Sequence, residues 1–79
     1  MTELSKRAIR DLDAMTPALR DKAEALIARL EAEPALGKKL KGKLEGKRSI
    51  WLGRTHRIIY ETDPLVFVLT IPQRRDAYR

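Results

Sequence analysis

The chain has 79 residues, with 17 Lys and Arg against 11 Asp and Glu, a single His, Trp and Phe, and no Cys. That is one domain, residues 1–79, with a thin core, because a chain this short buries only ~60% of the surface it exposes when unfolded. Disulfides, cysteine-ligated zinc and any catalytic plan that needs two imidazoles are excluded.

The residues before Ser5 can add a short edge strand. Ser5 is placed to cap a first helix by accepting a free backbone N–H at the helix start. Behind it, Ala8, Ile9, Leu12 and Met15 fall at helical spacing among charged residues. Thr16-Pro17 punctuates: Thr is a good N-cap, and Pro suits the first helical position. A second helix follows, with Leu19, Ala23, Leu26, Ile27 and Leu30 as its apolar stripe, and Pro34 ends it.

The pattern changes after Leu36. Residues 37–48 hold three glycines and six basic residues and read as a loop, with Leu40 and Leu44 tacked to the core. Three strand-like segments follow. Residues 49–52 are the first, 56–61 the second, and 65–71 the third, with turns at 53–55 and 62–64. The third is a continuous apolar run, which predicts the sheet centre with helices on at least one face. The tail PQRRDAYR carries Arg74, Arg75, Tyr78 and Arg79.

The expected fold class is therefore α+β: an N-terminal helical hairpin packed on a small twisted antiparallel sheet. Along the second strand, Ile58 and Tyr60 are expected under the helices, so that Arg57 projects from the open face. That face, the basic loop and the tail are expected to form one cationic concavity. No apolar run approaches the ~18–20 residues of a membrane span, and the charged start MTELSKRAIRDL has no signal-peptide core. The expectation is a cytoplasmic chain with no membrane partner.

Charge is divided unevenly. Residues 1–36 hold six basic and seven acidic residues, net −1, whereas residues 37–79 hold eleven and four, net +7. A polyanion such as nucleic acid would meet the second half; a solvated basic face without a ligand is the alternative.

Familiar catalytic constellations are missing. There is no GxxxxGK[ST] phosphate loop, since Gly42-Lys43 is followed by Leu44, and His56 has no evident nucleophile beside it. The acids of the first half read as solvated partners of Lys and Arg on the helix faces. Arg, Lys and Tyr remain, and that set can still cleave RNA. The 2′-hydroxyl is a nucleophile already attached to the substrate, guanidinium forks suit a phosphate, and a tyrosine among cations has its phenolate stabilised.

The ordered set LSKRAIRDL, then P-x-x-G-K-K-L-K-G-x-L-x-G over 34–46, S-I-W-L-G-R-T-H-R-I-I-Y over 49–60 and V-F-V-L-T-I-P-Q-R-R-D-A-Y-R over 66–79 resembles the RelE/ParE superfamily of bacterial type II toxins. The resemblance spans essentially the whole chain. It implies a small α+β domain with a helical hairpin on an antiparallel sheet. In RelE-like members, which cut mRNA in the ribosomal A site without a metal or cofactor, it implies that Arg57 holds the scissile phosphate and Arg74 stabilises the transition state. Tyr78 then stacks on the substrate or shares in proton transfer; the alternative is a packing anchor for the tail. Lys39, Lys41, Lys43, Lys47, Arg48, Arg54 and Arg75 are assigned to RNA binding. The longer members' C-terminal helix is not expected after Tyr78.

One departure stands out. The RelE-like strand usually presents basic residues to RNA, whereas here the stretch is Ser49-Ile50-Trp51-Leu52. Trp51 is read as a packing residue, with stacking on a base or on an antitoxin as the alternative. Three functions follow. The first is a ribosome-dependent mRNA endonuclease whose partners are a cognate antitoxin, the ribosome and mRNA. The second is a ParE-like toxin that binds and poisons DNA gyrase. The third is a non-catalytic nucleic-acid-binding module, which explains the basic half but not the ordered motifs.

Overall fold

The computed structural model describes residues 3–62 and 65–73. The elements run β1 (Glu3–Leu4), α1 (Lys6–Asp13), α2 (Pro17–Ala32), β2 (Lys38–Lys39), β3 (Arg48–Leu52), β4 (His56–Glu61) and β5 (Phe67–Thr70). Short 3-10 turns occupy Pro34–Leu36 and Gly42–Leu44.

Both helices begin where their caps require. Ser5 Oγ accepts the Ala8 N–H at 3.0 Å, and Thr16 Oγ1 accepts the Leu19 N–H at 3.4 Å with Pro17 behind it. The two helices cover one face of a five-stranded sheet of order β1-β5-β4-β3-β2, with α1 over β5 and α2 over β3. The core between them is Ala8, Leu12, Ala23, Ile27, Leu30, Leu52, Ile58, Tyr60, Val66, Val68 and Ile71.

β2 to β5 form the expected antiparallel sheet, and the edge strand expected before Ser5 makes it mixed. β1 runs parallel to β5, in the register Glu3↔Phe67 and Leu4↔Val68. The chain leaves β1 straight into α1 and returns only at β5, so the connection is a long crossover of the kind that parallel pairing needs. β5 is interior, as its apolar run demands, but the middle strand is β4. The expected loop at 37–48 contains the edge strand β2, paired Lys38↔Ser49 and Lys39↔Arg48. Two apolar expectations fail in the same way: Ile9 is 45% exposed and Leu44 is 40% exposed, because neither faces the sheet. α1 buries only Ala8 and Leu12, a narrower stripe than the spacing suggested.

The β3–β4 hairpin holds the register Ile50↔Ile58, Trp51↔Arg57 and Leu52↔His56. Its turn uses Gly53 at φ +61°, a left-handed conformation open to a residue without a Cβ. Alternation then sorts the pair into two ladders. Ile50, Leu52, Ile58 and Tyr60 turn toward the helices, whereas Ser49, Trp51, Arg57 and Ile59 turn to the open face.

Tyr60 is fully buried, and its hydroxyl is satisfied twice. It donates to Pro34 O at 2.9 Å and accepts the Gly37 N–H at 2.8 Å, which ties the end of the helical half to the middle strand.

Candidate functional site

Arg57 sits where the strand period placed it, on the open face of the middle strand. Among the described residues, Ser49, Trp51 and Pro72 hold it. Its Nη2 donates to Ser49 Oγ at 2.7 Å, its guanidinium carbon lies 5.0 Å from the centroid of the Trp51 ring, and its backbone N–H donates to Pro72 O at 3.0 Å. Ser49 is only 4% exposed, so the arginine also satisfies a buried hydroxyl. The guanidinium is thereby fixed on a rigid strand pair instead of swinging on a flexible stem, which would lower the entropic cost of binding any anion there.

Trp51 corrects an expectation. It is 42% exposed and belongs to the open face, not the core. Neither Ser49 nor Trp51 is a cation, so the open face of β3 offers no positive charge beside Arg57. Farther along the same face, Lys47 Nζ pairs with Glu61 Oε1 at 3.7 Å. Arg57 and Glu61 are separated along β4 by four residues, roughly 13 Å at ~3.3 Å each.

The other sequence candidates divide between this face and a second place. Lys39, Lys41, Lys47 and Arg48 line a groove of about 790 Å³ with Gly42 and Thr62, at the end of the sheet away from the β3–β4 turn. Arg57 does not line it, so among the described residues the expected single cationic concavity is two separate regions. Arg48 is turned to the helix side, where Nη1 donates to Gly37 O at 2.9 Å and to Ala35 O at 3.4 Å. Lys43 is exposed in the 3-10 turn, and Arg54 is exposed in the β3–β4 turn near Arg57. Arg74, Arg75 and Tyr78 lie outside the described residues. Gln73, the last described residue, bridges to His56, the residue that precedes Arg57.

His56 faces the opposite way from Arg57. Its Nδ1 lies 2.7 Å from Thr55 Oγ1, and it borders a cleft of about 500 Å³ together with Arg7, Asp11, Thr16 and Gln73. In that cleft is a residue that the sequence reading passed over. Asp11 Oδ2 accepts the Ile71 N–H at 2.9 Å and the Thr70 hydroxyl at 3.2 Å. By its sequence neighbourhood it reads as one of the solvated acids of the helix faces. The signal that could have separated it is its position three residues after Ala8 and next to Leu12, at the edge of the buried stripe. Through Ile71 and Pro72, Asp11 supports the segment against which the Arg57 backbone is bonded. Among the described residues no three His, Cys, Asp or Glu side chains converge as a metal-ligand set, and no helix is long and apolar enough to cross a membrane.

A family model described as the ParE toxin of the type II toxin–antitoxin system parDE matches residues 2–78. Solved structures share the fold over nearly their whole length. The RelBE2 toxin–antitoxin complex from Mycobacterium tuberculosis matches at 28% identity and TM-score 0.84, covering 94% of this chain and 96% of that one. The YoeB/ParE toxin from Agrobacterium tumefaciens matches at 20% identity and TM-score 0.79, covering 92% and 96%. The YoeB–YefM complex from Staphylococcus aureus matches at 21% identity and TM-score 0.78, covering 90% and 92%. No curated protein sequence matches the chain.

Proposed function

The chain belongs to the ParE toxin family of type II toxin–antitoxin systems, within the RelE/ParE superfamily, and from that premise we propose that it is a ribosome-dependent mRNA endonuclease that blocks translation. The observation that supports this reading is the held guanidinium of Arg57 on the open face of the sheet.

The chemistry uses the substrate's own nucleophile. The 2′-oxygen attacks the adjacent phosphorus and gives up its proton, while the P–O5′ bond breaks and the departing 5′-oxygen takes one. The products are a 2′,3′-cyclic phosphate and a 5′-hydroxyl, with no redox change. Arg57 binds the non-bridging oxygens through its planar fork, and Arg74 adds charge as the pentacovalent phosphorus forms. Tyr78 stacks on the substrate or shares in the proton transfer. Lys39, Lys41, Lys43 and Arg54 contribute long-range attraction to the RNA of the ribosome. The partner in the resting cell is a cognate antitoxin, in keeping with the solved toxin–antitoxin complexes of the same fold.

A second reading has its own support. β3 presents Ser49 and Trp51 where the RelE-like strand presents cations, and the matching family model is that of ParE. Binding and poisoning of DNA gyrase, without nuclease chemistry, follows from that reading. Brief expression of the chain followed by mapping of mRNA 5′ ends separates the two. Cuts inside reading frames, in phase with codons, are expected. Intact messages together with trapped gyrase–DNA complexes would overturn the nuclease reading in favour of the second.

A further inference from the structure

Trp51 is the chain's one tryptophan, and it stands 42% exposed on the open face. A ring of this size ordinarily supplies much of a small core, yet here it adds nothing to the buried cluster. Its cross-strand partner is Arg57, with the guanidinium carbon 5.0 Å from the ring centroid. A cation–π contact at the surface is worth ~0.5–1 kcal/mol.

The ring and the guanidinium are carried by directly opposed residues of one antiparallel pair, so their spacing is set by the sheet and not by a loop. In single-stranded RNA every phosphate is flanked by bases on the same backbone. A phosphate received by Arg57 therefore brings a base within reach of the indole. Exposed aromatics beside phosphate-binding cations are the general device by which single strands are held, because every base has a π-face.

We propose that Trp51 is a nucleobase-stacking site that seats the base next to the phosphate held by Arg57. The inference rests on the nuclease reading of Arg57 and adds a second anchor to it. Stacking tolerates any base, so this anchor fixes the nucleotide's position, and with it the line of 2′-oxygen attack, without selecting a codon.

The test uses the full chain and ribosomes programmed with an mRNA whose A-site codon is 2′-O-methylated, so that it binds but cannot be cut. A matching mRNA is abasic at that codon. Binding is measured by cosedimentation for the wild type, Trp51→Ala and Trp51→Phe. On the base-bearing message, Trp51→Ala is expected to bind about 5- to 100-fold more weakly, and Trp51→Phe to keep most of the affinity through its remaining ring. On the abasic message all three are expected to bind alike. Equal losses on both messages would mean that Trp51 acts only by holding Arg57, and an unchanged affinity would mean that it does not touch RNA; either result overturns the stacking site while leaving the nuclease reading intact if the wild type cuts unmethylated message. Failure of the wild type to bind or cut on programmed ribosomes overturns both.

Discussion

The carboxylate of Asp11 accepts the backbone N–H of Ile71 at 2.9 Å, so a side chain of the first helix anchors the strand segment that leads into the tail. The same Oδ2 accepts the Thr70 hydroxyl at 3.2 Å. Ile71 is 2% exposed, so its amide has little access to water if the acceptor is lost. Asp11→Ala should therefore destabilise the chain by about 1.5–3 kcal/mol, the range for a hydrogen bond to a charged group. Asp11→Asn keeps an acceptor and should lose less. Urea denaturation checks the difference. Amide exchange at Ile71 should quicken in the alanine variant before the rest of the core does, because the lost contact is local.

Gly37 is held in contact with Tyr60 at the other end of the molecule. A Cβ at this position would collide with Tyr60 Oη and stand 2.8 Å from Tyr60 Cε1 and 2.9 Å from Ser49 O. The neighbours are a fully buried ring and a strand carbonyl, neither of which can swing away. Gly37→Ala should thus cost about 1–3 kcal/mol by overpacking. In a domain of this size each kcal/mol lowers the melting temperature by about 4–8 °C. Tyr60→Phe should destabilise by a similar ~1–3 kcal/mol, because the Gly37 N–H is left buried without its acceptor. Because both variants break the same Gly37–Tyr60 contact, their combined effect should fall short of the sum.

Both of these contacts mark where sequence reasoning stopped. The elements themselves were legible because each had a local cause: Ser5 and Thr16 as caps, Pro17 at the start of the second helix, and alternation at 56–61. Alternation also puts Arg57 on the open face. What could not be read were pairings between residues far apart in the chain. β1 joins β5 in parallel because the helical crossover returns the chain beside it, and β2 exists only because Lys38 and Lys39 meet β3. Asp11 looks like any other helix-surface acid until Ile71 arrives next to it. Trp51 was expected inside on the strength of its size. It points outward because Ile50 and Leu52 already claim the helix side of β3, and a strand cannot present three consecutive residues to one face.

Arg57 is the residue on which the proposed chemistry depends most. Arg57→Ala should abolish growth arrest while the chain still binds its antitoxin, because the side chain lies outside the core cluster. Arg57→Lys should recover little activity, since an ammonium keeps the charge but loses the planar fork. Ser49→Ala removes the 2.7 Å contact that orients the guanidinium and should reduce cleavage without erasing it. The readouts are colony formation after induction and cleavage of message on purified ribosomes. Full toxicity in Arg57→Ala would remove this residue from the site.

The basic loop should act through charge and not through chemistry. Lys39, Lys41 and Lys43 are exposed, whereas Lys47 lies 3.7 Å from Glu61 and shares its charge with that carboxylate. A lysine that neutralises a phosphate contributes about 0.7–0.9 to the slope of log affinity against log salt. Replacing Lys39 and Lys41 together by Gln should flatten that slope for programmed ribosomes by roughly 1.4–1.8 if each meets one phosphate. Lys47→Gln should flatten it less, because the lysine that it removes is already partly neutralised. Single-turnover cleavage at saturating toxin should stay near wild type in both the Lys39/Lys41 double variant and Lys47→Gln, since none of these residues lies beside Arg57 in the sheet. A drop in that saturated rate, with an unchanged salt slope, would move the loop from attraction into the cleavage step itself.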